Sequence, residues 1–231
     1  MTKFNSRKKR SYSFKGRNQT FFARPNLITA AMMVVLLFSG ILTFAQKQKK
    51  YLVSYTDSSS GEELVGYKSR AGEIVIKAQY GEGSGRLYKM ALVRTVPDWK
   101  WLGIDKKGNI MLEAFIYDNG PDYVKEGLFR FVENDKMGFA NLDGDKIIPA
   151  NYSFVTPFES GIAKYTMGGH KERDGEHWFW TGGDASGYLN KFGQVFREVG
   201  DLKNNKREAR TTDGKHVLLN KNGQVIKIYN K

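Results

Sequence analysis

Lys136-Met-Gly-Phe-Ala-Asn-Leu-Asp-Gly-Asp-Lys-Ile-Ile-Pro-Ala-Asn-Tyr152, followed by Pro157-Phe-Glu-Ser-Gly-Ile-Ala-Lys-Tyr165, carries the clearest pattern in this 231-residue chain. An apolar burst runs into Asn141, Gly144 stands three residues later, and a second burst, Lys146-Ile-Ile148, leaves the turn. A side chain that bonds forward to the backbone, then a Gly at positive φ, describes a type I turn closed by a left-handed residue. Turns of this kind join antiparallel strands in short hairpins. The same spacing recurs at Ser69…Gly72, Asp105…Gly108, Asn190…Gly193 and Asn220…Gly223, with glycine intervals of 36, 36, 49 and 30 residues. Gly72, Gly108, Gly144, Gly193 and Gly223 therefore read as structural turns. No helix start succeeds any of them, which removes the phosphate-cradle reading.

More than the turn repeats. Six residues before the turn glycines stand Gly66, Leu102, Gly138, Gly187 and Val217, mostly followed by an aromatic or aliphatic residue. A further strand comes next in three copies: Met90-Ala-Leu-Val93, Gly127-Leu-Phe-Arg-Phe131 and Gly161-Ile-Ala-Lys-Tyr165. One unit is thus a hairpin plus a returning strand, too small to bury a face alone, so neighbouring units must stack. Most aromatic residues recur at repeat positions and read as core. Trp99 and Trp101, alternating about Lys100, are expected on one core-facing side of a strand.

These residues resemble the WG-containing repeat family, whose pattern is Trp-Gly-aromatic-Ile-Asp, a Gly turn, Ile-Pro-Pro-x-Tyr-Asp, then Phe-x-x-Gly-Leu-Ala-x-Val. The unit from Lys136 to Tyr165 is similar throughout, and Trp101-Leu-Gly-Ile-Asp-Lys-Lys-Gly108 keeps the Trp. Val65, Met137, Ser186 and His216 replace that Trp elsewhere. The resemblance spans roughly residues 62 to 230. It implies an all-β fold of four or five tandem hairpin units, stacked as a solenoid- or propeller-like array. It brings no catalytic residues.

Outside the repeats the chain changes character. Residues 1–26 are basic, and Leu27 to Ala45 is an uncharged stretch of 19 residues. As a helix it would reach ~28 Å, close to the thickness of a bilayer core. Basic residues before it hold that end in the cytoplasm, so the chain beyond Ala45 is expected to be exported. Thr43 and Ala45 supply the small residues of a signal-peptidase site, giving a periplasmic or extracellular protein cut near Ala45. The alternative is an uncleaved single-pass anchor with the C-terminal domain outside the cytoplasm. Residues 46–61 read as a linker with one short strand at Tyr51 to Tyr55, and 62–231 as the repeat domain.

The net charge of +13 is misleading, since residues 1–50 hold eleven Lys or Arg and no acid, leaving +2 for residues 51–231. A nucleic-acid-binding domain would concentrate cations on its own surface, so no nucleic-acid partner is expected. The absence of cysteine excludes thiol catalysis, disulfides and a cysteine-ligated metal. His170, His177 and His216 lack a recognised ligand spacing, Asp143-Gly-Asp145 coincides with a repeat turn, and no Gly-x-Ser-x-Gly elbow occurs. Neither metal nor cofactor is expected. The reading is a non-catalytic binding module of the bacterial cell envelope; its alternative is an envelope-associated hydrolase acting on glycan or peptide.

One insertion stands out. The interval from Gly144 to Gly193 exceeds the two before it by 13 residues, and the excess falls between Tyr165 and Gly187. Insertions in repeat arrays emerge as loops on one face, where binding residues gather. Gly168-Gly169 and Gly182-Gly183 bracket it, and Trp178 and Trp180 share a side of any strand there. His170, Arg173, His177, Trp178 and Trp180 are the candidate binding residues for an envelope glycan or protein. The competing arrangement folds the Trp pair back onto a neighbouring repeat.

Overall fold

The computed structural model describes residues 51–117, 120–175 and 177–229. The basic segment 1–26, the apolar segment 27–45 and its expected helix lie outside them. Every regular element among the described residues is a β-strand, and no helix there is long and apolar enough to cross a membrane.

The strands form three principal antiparallel sheets. The first orders Ile74–Tyr80, Leu64–Lys68, Leu52–Asp57 and Arg86–Leu87. The second runs Lys146–Tyr152, Lys136–Asn141, Leu128–Glu133, Ile110–Ala114, Trp101–Ile104, Ala91–Arg94, Glu82–Gly83. The third runs Phe154–Val155, Ile162–Met167, Ala185–Asn190, Val195–Val199, Lys206–Thr211, His216–Asn220, Val225–Tyr229. All three are open, with free edges rather than barrel closure. Within the segment read as a linker, Val53 to Asp57 of the strand Leu52–Asp57 pair residue for residue with Leu64–Lys68.

The five expected turns are present, with φ of +93°, +85°, +86°, +77° and +77° at Gly72, Gly108, Gly144, Gly193 and Gly223. At Asn141, Oδ1 accepts from the N–H groups of Asp143 (3.0 Å) and Asp145 (2.9 Å), and Asp105, Asn190 and Asn220 repeat the arrangement. A second turn type recurs where the sequence reads x-x-Gly-Leu/Ile. Glu126-Gly127 and Ser160-Gly161 both have positive φ in each pair, as do Asn134-Asp135 and Asn204-Asn205. Two consecutive left-handed residues make the two-residue hairpin loop whose twist matches its strands.

The units around Gly66 and Gly138 share a bulge. Met137 pairs with Tyr152 and Phe139 with Ile148, so Gly138 alone faces Pro149, Ala150 and Asn151. Gly66 faces Lys77, Ala78 and Gln79 in the same way. A Cβ on Gly138 would stand 2.4 Å from the Ile148 carbonyl oxygen, and one on Gly66 2.6 Å from that of Ile76. The glycine of the motif is thus required by close approach of the bulged neighbour.

Packing alternates along the array. Tyr67, Ile76 and Leu87 of the first sheet share a core with Val93 and Ile104 of the second. Phe139 and Ile148 of the second share one with Val155, Phe158 and Leu189 of the third. Phe129 and Phe131 face the other way, against Trp101 and Leu112, so Leu128–Glu133 is covered on both faces. Trp101 is core, as expected. Trp99 is not: the strand begins at Trp101, Trp99 sits in the preceding turn at φ +54°, 65% exposed, and the Arg94 guanidinium covers its ring at 4.0 Å.

Candidate functional site: the hairpin arm

The insertion forms a hairpin of its own, His170–Asp174 paired with His177–Thr181. Its base is made by the bracketing glycines, all at positive φ: Gly168 (+72°), Gly169 (+80°), Gly182 (+70°) and Gly183 (+122°). The Gly168 N–H donates to Ser153 Oγ at 2.9 Å, fixing the arm to the start of the third sheet.

The register sorts the candidate residues. Arg173 pairs with Trp178 and Lys171 with Trp180, so these four share one face. His170 pairs with Thr181 and Glu172 with Phe179, placing them on the other face. His177 takes the position opposite Asp174. The two-residue period puts His170 on the side opposite the tryptophans, while Arg173 shares theirs.

Both tryptophans are half-buried against the body. Trp178 meets Phe115 edge-on (5.6 Å) and Phe154 (6.2 Å), and Trp180 stacks on Phe154 at 5.6 Å with 8° between planes. Trp180 Nε1 donates to the Gly168 carbonyl at 3.1 Å. The Lys171 ammonium lies over the Trp178 ring at 4.2 Å. The short strand Ile116–Tyr117 and residues Tyr123 and Val124 are exposed, with Tyr117 and Tyr123 in edge contact at 5.8 Å.

A buried ion pair, not singled out in the sequence, supports this floor. Arg130 Nε and Nη2 donate to Asp122 Oδ2 (2.9 Å) and Oδ1 (2.6 Å), and Nη1 donates to the Val155 carbonyl at 3.0 Å. The guanidinium lies 4.5 Å from the centre of the Phe115 ring, 5.8 Å from Tyr117 and 6.0 Å from Phe154. Arg130 thereby ties the second sheet to the third beneath the arm. A second tie joins Glu126, whose carboxylate pairs with Lys191 at 2.8 Å and accepts from the Gly161 N–H at 3.0 Å. Burial pushes the Glu126 carboxyl up, but Lys191 and the Gly161 and Ser160 N–H groups outweigh it and hold it below the usual range.

Elsewhere, a groove of about 600 Å³ is lined by Arg210, Asp213, Lys215, His216, Ile228 and Tyr229. Its carboxylate, Asp213, is held at about 2 by Lys215 and the Thr211 hydroxyl. His216 stacks on Tyr229 at 4.6 Å, with Nε2 3.1 Å from Glu208. Among the described residues no three His, Asp or Glu side chains converge as a metal set.

Fold and turns together define an all-β tandem-repeat protein. Residues 104–136 and 137–169 match the family model of the WG containing repeat, two copies in tandem. No curated protein matches the chain. The match ends at the base of the arm, yet the same Gly-closed turn recurs outside it at Gly72, Gly193 and Gly223.

Proposed function

We propose that this chain is an exported, non-catalytic interaction module of the bacterial cell envelope, with the hairpin arm as its binding surface for an envelope glycan or protein. The observation that carries this reading is the arm itself: a hairpin inserted into the repeat period and set on an aromatic floor, with Tyr117 and Tyr123 exposed on the body and Phe179 exposed on the arm's other face. Rigid scaffolds that display one irregular excursion place recognition there. Export rests on the uncharged run from Leu27 to Ala45 behind its basic flank. The repeat array is solenoid-like, each unit stacked on the last, and serves as the scaffold for that surface.

Location is tested by cell fractionation with intact mass. A product beginning at Gln46 marks a released protein, a full-length membrane product marks an anchor, and a full-length cytoplasmic product overturns export. Binding is tested by co-sedimentation with isolated envelopes, comparing the parent with Tyr117→Ser/Tyr123→Ser/Phe179→Ser. These side chains are exposed, so their loss should remove binding while leaving the melting temperature nearly unchanged. Unchanged co-sedimentation overturns the arm as the binding surface.

A further inference from the structure

The arm is charge-segregated. Its first strand reads His170-Lys-Glu-Arg-Asp174, and alternation sends Lys171 and Arg173 to one face and Glu172 and Asp174 to the other. Each cation stands directly across the ladder from a tryptophan, Lys171 from Trp180 and Arg173 from Trp178. Both cations are exposed. Neither has a carboxylate within ion-pair distance among the described residues; the contact the structure gives Lys171 is the Trp178 ring. Nearby, Lys146 pairs with Glu133, Lys191 with Glu126 and Arg130 with Asp122.

We infer that the arm recognises an anionic glycan, with Lys171 and Arg173 meeting its carboxylates or phosphates and the exposed Tyr117 and Tyr123 rings lying against its sugar faces. The inference rests on the arm being the binding surface and adds the chemistry of the ligand. Two exposed cations with no carboxylate partner among the described residues, beside aromatic rings, suit alternating charge and apolar C–H surface, which an acidic polysaccharide presents along its length. A planar guanidinium and a compact ammonium suit carboxylate and phosphate alike. Glu172 and Asp174, the acids of the same strand, are held on the other side of the hairpin by the two-residue period. A neutral glycan leaves both cations without a partner.

The test is affinity electrophoresis of the full chain through gels containing polygalacturonate, neutral dextran or poly-glutamate. The basic stretch in residues 1–50 also meets polyanions, so the quantity read is the ratio between parent and variant. Lys171→Gln/Arg173→Gln should weaken retardation by polygalacturonate roughly threefold or more, the range that two exposed ionic contacts sustain. Lys171→Arg/Arg173→Lys should retain it, and His170→Ala, on the opposite face, should leave it unchanged. Equal retardation of parent and the Gln variant overturns the inference. Retardation by dextran that depends on Tyr117 and Tyr123 overturns the anionic ligand while leaving the arm as a binding surface. Stronger dependence on Lys171 and Arg173 with poly-glutamate than with polygalacturonate assigns the arm to an acidic protein segment instead and overturns the glycan.

Discussion

Asp122→Ala is expected to be the most damaging single polar substitution beneath the arm. The Asp122 carboxylate is 1% exposed and the Arg130 side chain 3%. It accepts three bonds, from Arg130 Nε, Nη2 and the Arg130 backbone N–H at 2.8 Å. Removing it leaves a buried guanidinium whose remaining acceptor among the described residues is the Val155 carbonyl. Breaking one partner of a buried pair costs about 3–5 kcal/mol, because the surviving charge stays desolvated. For a unit the size of Lys50–Lys231, a loss of that size lowers the melting temperature by roughly 6–20 °C. Thermal unfolding by circular dichroism reads it directly. Asp122→Leu with Arg130→Met should recover most of the loss, since well-packed apolar replacements of buried pairs are often neutral. A single variant that melts within about 2 °C of the parent would refute the reasoning, because the pair would then be no more than a surface contact.

Three further outcomes are expected. Gly144→Val places a β-branched side chain at φ +86° with its Cβ 2.6 Å from Met111 Cε, whereas Gly72→Val meets nothing within 4 Å at φ +93°; both should destabilise by roughly 1–3 kcal/mol through backbone strain, with Gly144 the larger, and equal urea midpoints would show that stacking on Met111 adds nothing. A fragment from Lys50 should give a β-type spectrum and a higher urea midpoint than one from Glu62, because the latter loses the Leu52–Asp57 partner of Leu64–Lys68; indistinguishable midpoints would remove that strand from the folded unit. Because the folded-state Glu126 carboxyl lies below its ordinary value of 4.5, its tie is fully present above that pH and is lost as the pH falls through the folded value; Glu126→Gln should flatten the acid limb of stability, and an unaltered limb would place the acid sensitivity elsewhere.

The parts legible in the sequence are those that local chemistry fixes. A turn closed by Gly after Asn or Asp is decided within five residues, so Asn141…Gly144 and its relatives could be read directly. The equivalent turn at Thr211…Gly214 escaped because a hydroxyl replaces the carboxamide, although Thr211 Oγ1 accepts from the Lys215 N–H at 2.9 Å as Asn141 accepts from Asp145. Admitting Thr to the pattern would have found it. Trp99 misled because alternation assumes a strand has begun, and Pro97 two residues earlier was the sign that it had not.

The floor of the arm is harder, because its contacts join residues that share no local pattern. Phe115, Phe154 and Trp178 come from three different strand neighbourhoods, and only stacking of successive units brings them together. Yet one mark was present: Arg130 interrupts Leu128-Phe-Arg-Phe-Val132, an otherwise unbroken apolar run. A strand covered on both faces tolerates a cation only where an acid awaits it. The nearest upstream acid outside a turn, Asp122, fills that role eight residues away. The paired charge in the core and the two arm cations, which have no carboxylate partner among the described residues, are thus opposite outcomes of one rule. Arg130 is neutralised because burial demands it, whereas Lys171 and Arg173, exposed on the hairpin, meet no such demand because water solvates them.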